Sequence, residues 1–161
     1  MPTLLLHEVP DDLEVEPDNG GYVCTTPVME CCRRGTLVTL DVRLDHMPDQ
    51  GEDTYEFSFG FTVSDIEGAG LAFYTQDRDT VRRYLDGLPH ALVMPCVAAA
   101  LAALIDTVQP AYIFRVTKAR YLPQKALRKH TLVTDALHDL GYHEVETGTD
   151  ALGRTFWLMG R

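Results

Sequence analysis

The clearest order in this chain is the alternation of apolar and polar residues from Tyr55 to Val63. Tyr55, Phe57, Phe59, Phe61 and Val63 fall on one face of an extended segment, and Glu56, Ser58, Gly60 and Thr62 on the other. A period of two with an aromatic stripe predicts a half-buried antiparallel strand. Thr36 to Leu44 also alternates, with Leu37, Val38, Leu40, Val42 and Leu44 apolar, and predicts a second strand.

Asp65-Ile-Glu-Gly-Ala-Gly70 is a turn that joins the aromatic strand to a further one, Leu71 to Thr75, as a hairpin. Upstream, Thr3 to Val9 reads as a short strand. Pro10 to Gly21 reads as a loop from its Asp, Pro, Asn and Gly content, and Tyr22 to Cys32 as a strand that Pro27 breaks into a turn. His46 to Asp53 is a second loop.

After Gln76 the period lengthens. Asp77 and Asp79 offer caps to a short helix, Thr80 to Leu85, which Gly87 stops. Pro95 suits a first helical turn, so the alanine-rich segment predicts a helix from Pro95 to Val108, apolar almost all round and therefore buried on most sides. Ala111 to Val116 loads both faces and predicts a central strand with Tyr112 and Phe114 in the core. Gln124 to Leu140 has helical spacing and ends at Gly141. His143 to Thr147 and Arg154 to Met159 form a closing hairpin. The sum is an α+β chain of one domain over 1–161, in which 1–35 is an acidic strand and loop segment. It has a mostly antiparallel twisted sheet of about six to eight strands, two main helices and one short helix.

Composition changes this picture little. The 161 residues are 45% hydrophobic and 24% charged, which excludes a disordered or collagen-like chain. The longest apolar run, Ala91 to Ile105, is short for a bilayer span. Cys24, Cys31, Cys32 and Cys96 show no CxxC spacing, and the N-terminal apolar run is too short for a secretory signal. A cytoplasmic setting is the expectation.

Charge changes it more. Residues 1–56 hold 13 acids and three bases, the whole of the net −10, whereas residues 57–161 balance. Thr107 to Thr134 has no acid and six bases: Arg115, Lys118, Arg120, Lys125, Arg128 and Lys129. The acidic excess argues against a duplex-DNA binder. It offers Asp11, Asp12, Glu14, Glu16, Asp49, Glu52 and Asp53 as a contact set for a basic protein partner. The basic stretch, with Tyr121 among its cations, is an alternative site for a phosphate ligand or a nucleic-acid single strand. The plainer alternatives are that the two regions face each other or that each is a solvated face.

From residue 36 the order is three strands, a short helix, a helix, a strand, a helix and two strands. Through Pro110-Ala-Tyr-Ile-Phe, Leu137-His-Asp-Leu-Gly-Tyr142 and Phe156-Trp-Leu-Met159 this resembles the second half of the GNAT acyltransferase fold. It also resembles small phage and mobile-element proteins with a valine- and alanine-rich helix before a Pro-x-x-Ile-Phe strand. The first resemblance implies acetyl-CoA as cofactor, with Tyr121 or Tyr142 as proton donor to the leaving thiolate. That family holds pyrophosphate on an Arg/Gln-x-x-Gly-x-Gly/Ala loop. The one spacing match here, Asp65 to Gly70, puts two carboxylates where phosphate would sit and reads as a hairpin turn. His130 and His138, with Asp135 beside the latter, have no nucleophile placed next to them and read as surface or capping residues. No metal site has a recognisable spacing. The expectation is a non-catalytic accessory module of the phage type that binds, and in one version inhibits, a basic partner. A homodimer is a further option if Thr36 to Leu44 forms an uncovered edge.

Overall fold

The computed structural model describes residues 3–31, 35–51, 53–65, 73–75, 90–117 and 124–161. It is an α+β fold with a mostly antiparallel sheet and two helices. The strands are β1 (Thr3–Leu4), β2 (Val15–Asp18), β3 (Gly21–Cys31), β4 (Thr36–His46), β5 (Thr54–Asp65), β6 (Phe73–Thr75), β7 (Tyr112–Val116), β8 (His143–Thr149) and β9 (Thr155–Gly160). The helices are α1 (His90–Val108) and α2 (Gln124–Asp139). The sheet order is β1-β3-β4-β5-β7-β9-β8, with β2 also on β3 and β6 also on β5. Among the described strands, the one parallel pair is β5–β7, where Thr54, Tyr55 and Glu56 lie beside Tyr112, Ile113 and Phe114.

Alternation decides the two faces. Val38, Leu40, Val42 and Leu44 of β4 are buried, as are Phe57, Phe61 and Val63 of β5, and α1 packs against β3 and β4 over this apolar face. The opposite face carries Asp41, Arg43, Asp45, Ser58 and Thr62, none of them buried. There Asp41 accepts hydrogen bonds from the hydroxyls of Thr39 (3.1 Å) and Thr62. An antiparallel sheet with one wet face has this pattern. One cluster of buried apolar side chains runs from Leu6 to Met159.

Several expectations change. Pro10 to Gly21 is not all loop: β2 pairs with β3 from Val15–Cys24 to Asp18–Gly21, leaving Asn19-Gly20 as a two-residue turn. Both turn residues have positive φ, 42° and 79°, the geometry that matches strand twist and that Asn-Gly favours. The first strand shrinks from Thr3–Val9 to two residues. Pro27 does not break its strand. It sits at a register shift in β3, between the stretches paired with β2 and β1, where a missing N–H interrupts no regular ladder. The segment Thr36 to Leu44 is no edge, because β4 lies between β3 and β5, which removes the basis for a homodimer through that strand.

Pro95 is interior to α1, not at its start. It lacks the N–H that would reach the carbonyl of Ala91; both residues are exposed, so water can take that carbonyl. The helix is buried on one stripe, Cys96, Val97, Ala100, Leu101, Leu104 and Ile105, not on most sides. At its full length, Ala91–Val108 has the size and hydropathy of a membrane span by composition alone. Here its stripe packs on the sheet. The short helix expected at Thr80 to Leu85 lies outside the described residues. Tyr112 is 43% exposed and not core, because it faces away from the helices, whereas Ile113 faces them and is fully buried.

Candidate acidic interaction surface

The β2–β3 turn and the β4–β5 connection meet at one end of the sheet. The His46 N–H donates to the Gly20 carbonyl (3.1 Å), and the Met47 N–H to that of Thr54 (2.9 Å). Strand register brings Asp18, Asp45 and Glu56 to one face at this end, and the β4–β5 connection carries Asp49 and Asp53. Arg43 is the one arginine or lysine described among residues 1–56. Its Nη1 donates to Asp18 (2.7 Å), and its Nη2 and Nε to Asp45 (3.1 and 3.3 Å). The hydrogen bonds to Asp45 chiefly raise the guanidinium pKa, against the opposing effect of burial, and Asp18 adds to the rise. This fork ties β2 to β4 across β3.

Of the expected contact set, Asp11, Asp12, Glu14, Glu16, Asp49 and Asp53 are all exposed. None forms an ion pair with another described residue. Glu52 lies outside the described residues. Asp11, Asp12 and Glu14 precede β2, and the others lie along it or at the turn end. Asp18 and Asp45, outside the expected contact set, are the carboxylates that hold Arg43; the alternation Asp41, Arg43, Asp45 on one strand face is the signal for the second of them.

A concavity of about 390 Å³ opens at this end, lined by Pro17, Asp18, Gly20, Tyr22, His46 and Tyr55. The His46 and Tyr55 rings lie 5.2 Å apart at 46°. Burial pushes the Tyr55 phenol pKa up, and Tyr22 and Asp53 add to the rise, so the ring stays neutral at neutral pH. A second concavity, about 400 Å³ and mostly apolar, lies between α1 and α2 against Met94, Leu101 and Val133.

Of the expected anion site, Arg115 is withdrawn from solvent, at 2% exposure. It shares the helix-covered face with Ile113 and Thr117, donating to the His130 carbonyl (3.0 Å) and the Thr134 hydroxyl (2.5 Å) of α2. Its guanidinium lies 4.8 Å from the Trp157 ring centre. Burial lowers its pKa to about 10, with Glu144 opposing. Arg128 and Lys129 are exposed on α2, and Lys125 lies in its first turn. Lys118, Arg120 and Tyr121 lie outside the described residues. His130 is not a simple surface residue: it stacks on Trp157 at 5.2 Å and 20°. Burial lowers its pKa first, then Arg115 and Lys129.

Tyr142 cannot serve as the proton donor considered for it. It is fully buried, and its hydroxyl donates to the Pro110 carbonyl (2.5 Å). Among the described residues no three His, Cys, Asp or Glu side chains assemble as a metal-binding group. Cys24 and Cys96 are buried free thiols. Burial raises both pKa values, which keeps them protonated. Comparison with protein families, curated proteins and solved structures finds no match to this chain.

Proposed function

We propose that this chain is a non-catalytic binding module whose acidic N-terminal third engages a basic surface on a partner protein. One observation carries the reading. Arg43, the single arginine or lysine described in that third, is already held by Asp18 and Asp45, while six further carboxylates stand exposed and outside any ion pair among the described residues. Exposed charge of one sign steers association and selects partners of the opposite sign. The test compares affinity capture from the native host by wild type and by an E16K/D49K/D53K variant. Partners held at low salt should be lost on charge reversal; an unchanged set of partners defeats the reading.

A second reading, an acyltransferase using acetyl-CoA, draws on the order of elements. The pair β5–β7 joined through α1, followed by α2 and the β8–β9 hairpin, supports this reading, since the resemblance implies a helix-bearing strand pair and then a closing hairpin. Calorimetry with CoA separates the two, since only the second expects binding heat.

A further inference from the structure

We propose that the open face of the β7–β9 strand pair docks an amphipathic helix of the partner protein, one whose apolar stripe is flanked by lysine or arginine; this deepens the acidic-surface reading above and rests on it. Strands covered on both sides carry apolar residues on both faces, and β7 and β9 have that composition. Ile113 and Met159 are fully buried on the face that carries the helices. Phe114, Phe156 and Leu158 point the other way, and the two phenylalanine rings stack 5.8 Å apart. Among the described residues no helix lies on that side: α1 packs over the apolar face of β3 and β4, and α2 is held by Arg115 from the Ile113 side. Tyr112 and Val145, 43% and 59% exposed, extend the patch and meet over Gly160, where a Cβ would lie 2.9 Å from each side chain.

Register sets the charge around this patch. Glu56, Phe114, Leu158 and Glu146 are successive partners across β5, β7, β9 and β8, so one row runs carboxylate, apolar, apolar, carboxylate. Three strand spacings, about 14 Å, separate the two glutamates, and a helix with its side chains is about 10–12 Å across. Neither glutamate forms an ion pair with another described residue, and Glu146 is exposed. Glu16 stands on the same sheet face, since it pairs with Val23 and Val23 with Arg43. A helix with cations on both sides of its apolar stripe matches the patch and its rim together. An apolar helix would desolvate the glutamates without partners. An acidic helix would be repelled, and a second copy of this chain would bring the same carboxylates to the rim.

The test titrates isotope-labelled protein with three synthetic peptides: a leucine–lysine amphipathic helix, an oligolysine of equal charge, and a leucine–glutamate amphipathic helix. Only the first should shift the ring resonances of Tyr112, Phe114 and Phe156 saturably. Y112S and V145T should each weaken its binding about three- to tenfold, and E146K about two- to fivefold. Equal, salt-dependent binding of both lysine peptides with these rings unmoved overturns the docking face and leaves the acidic-surface reading standing. Binding of the leucine–glutamate helix at the rings overturns the choice of a basic helix. Ring shifts that follow protein concentration alone assign the face to a second copy and overturn the proposal. Binding of neither lysine peptide overturns both readings. If Y112S fails to fold, V145T decides, and unchanged affinity there counts against the patch.

Discussion

Gly20 and Gly21 are adjacent, yet the structure requires glycine at each for a different reason, and alanine substitutions separate the two. A Cβ at Gly20 would meet nothing within 4 Å, but the residue has φ of +79°. Left-handed backbone costs an L-residue about 1–2 kcal/mol. Alanine also reduces the freedom of the unfolded chain, which returns about 0.4–1 kcal/mol. Gly20→Ala should therefore destabilise by about 1 kcal/mol, and Gly20→Asn by less, since Asn tolerates this region. Gly21 is limited by space. Its Cβ would lie 2.5 Å from the Leu44 carbonyl oxygen and 2.8 Å from the Asp45 Cα, both backbone atoms of β4. Relief requires β3 and β4 to part at the Gly21–Asp45 pair. Overpacking costs about 1–3 kcal/mol, and each ladder bond lost about 1 kcal/mol more. Gly21→Ala should cost about 3 kcal/mol. Thermal melts followed by circular dichroism should show Tm falling by about 3 °C for Gly20→Ala and about 10 °C for Gly21→Ala. Equal losses, or a neutral Gly21→Ala, would refute the close approach and with it the described hairpin register.

Two further outcomes concern the buried polar groups. Folded His130 has a pKa below its unfolded value of about 6.5. The unfolded chain therefore takes up the proton first, so stability should fall as pH drops below about 6.5 and level off once folded His130 itself titrates. Urea midpoints across this range should show the fall, H130Q should flatten it, and Arg115→Met should shrink it by removing a like charge; an unchanged slope in H130Q sinks the assignment. Tyr142→Phe removes the hydroxyl that donates to the buried Pro110 carbonyl and should cost about 1–3 kcal/mol by urea denaturation. A neutral result contradicts that bond.

Local pattern reveals strand faces better than it reveals partners. The aromatic alternation of 55–63 and the apolar alternation of 36–44 both set faces correctly, because burial on one side imposes a period of two. The prolines mislead. Their general cost to strand and helix suggests a break at Pro27 and a helix start at Pro95, but each stands where its missing N–H does least harm: at a bulge, and beside an exposed turn. Asn19-Gly20 carries a strong hairpin signal that the surrounding Asp and Pro residues obscure. Arg115 groups with its charged neighbours in sequence, although alternation with Ile113 and Thr117 places it on the covered face. Exposure of the acidic residues is legible from composition. The grouping of Tyr22, His46 and Tyr55 is not, because only the register of β3, β4 and β5 brings them together.

The seam between β5 and β7 has a consequence for how the chain folds. Antiparallel pairing from β2 to β5 joins strands that follow one another along the chain, as does the β8–β9 pair, so both arrays can zip up from short connections. The seam is three residue pairs long and joins 54–56 to 112–114, across all of α1 and β6. Closing so distant a contact for so few bonds makes the meeting of the two arrays the slow step of folding. In pulse-labelled hydrogen exchange, the amides that point across the seam, such as that of Tyr112, which donates to the Asp53 carbonyl, should be the last to gain protection.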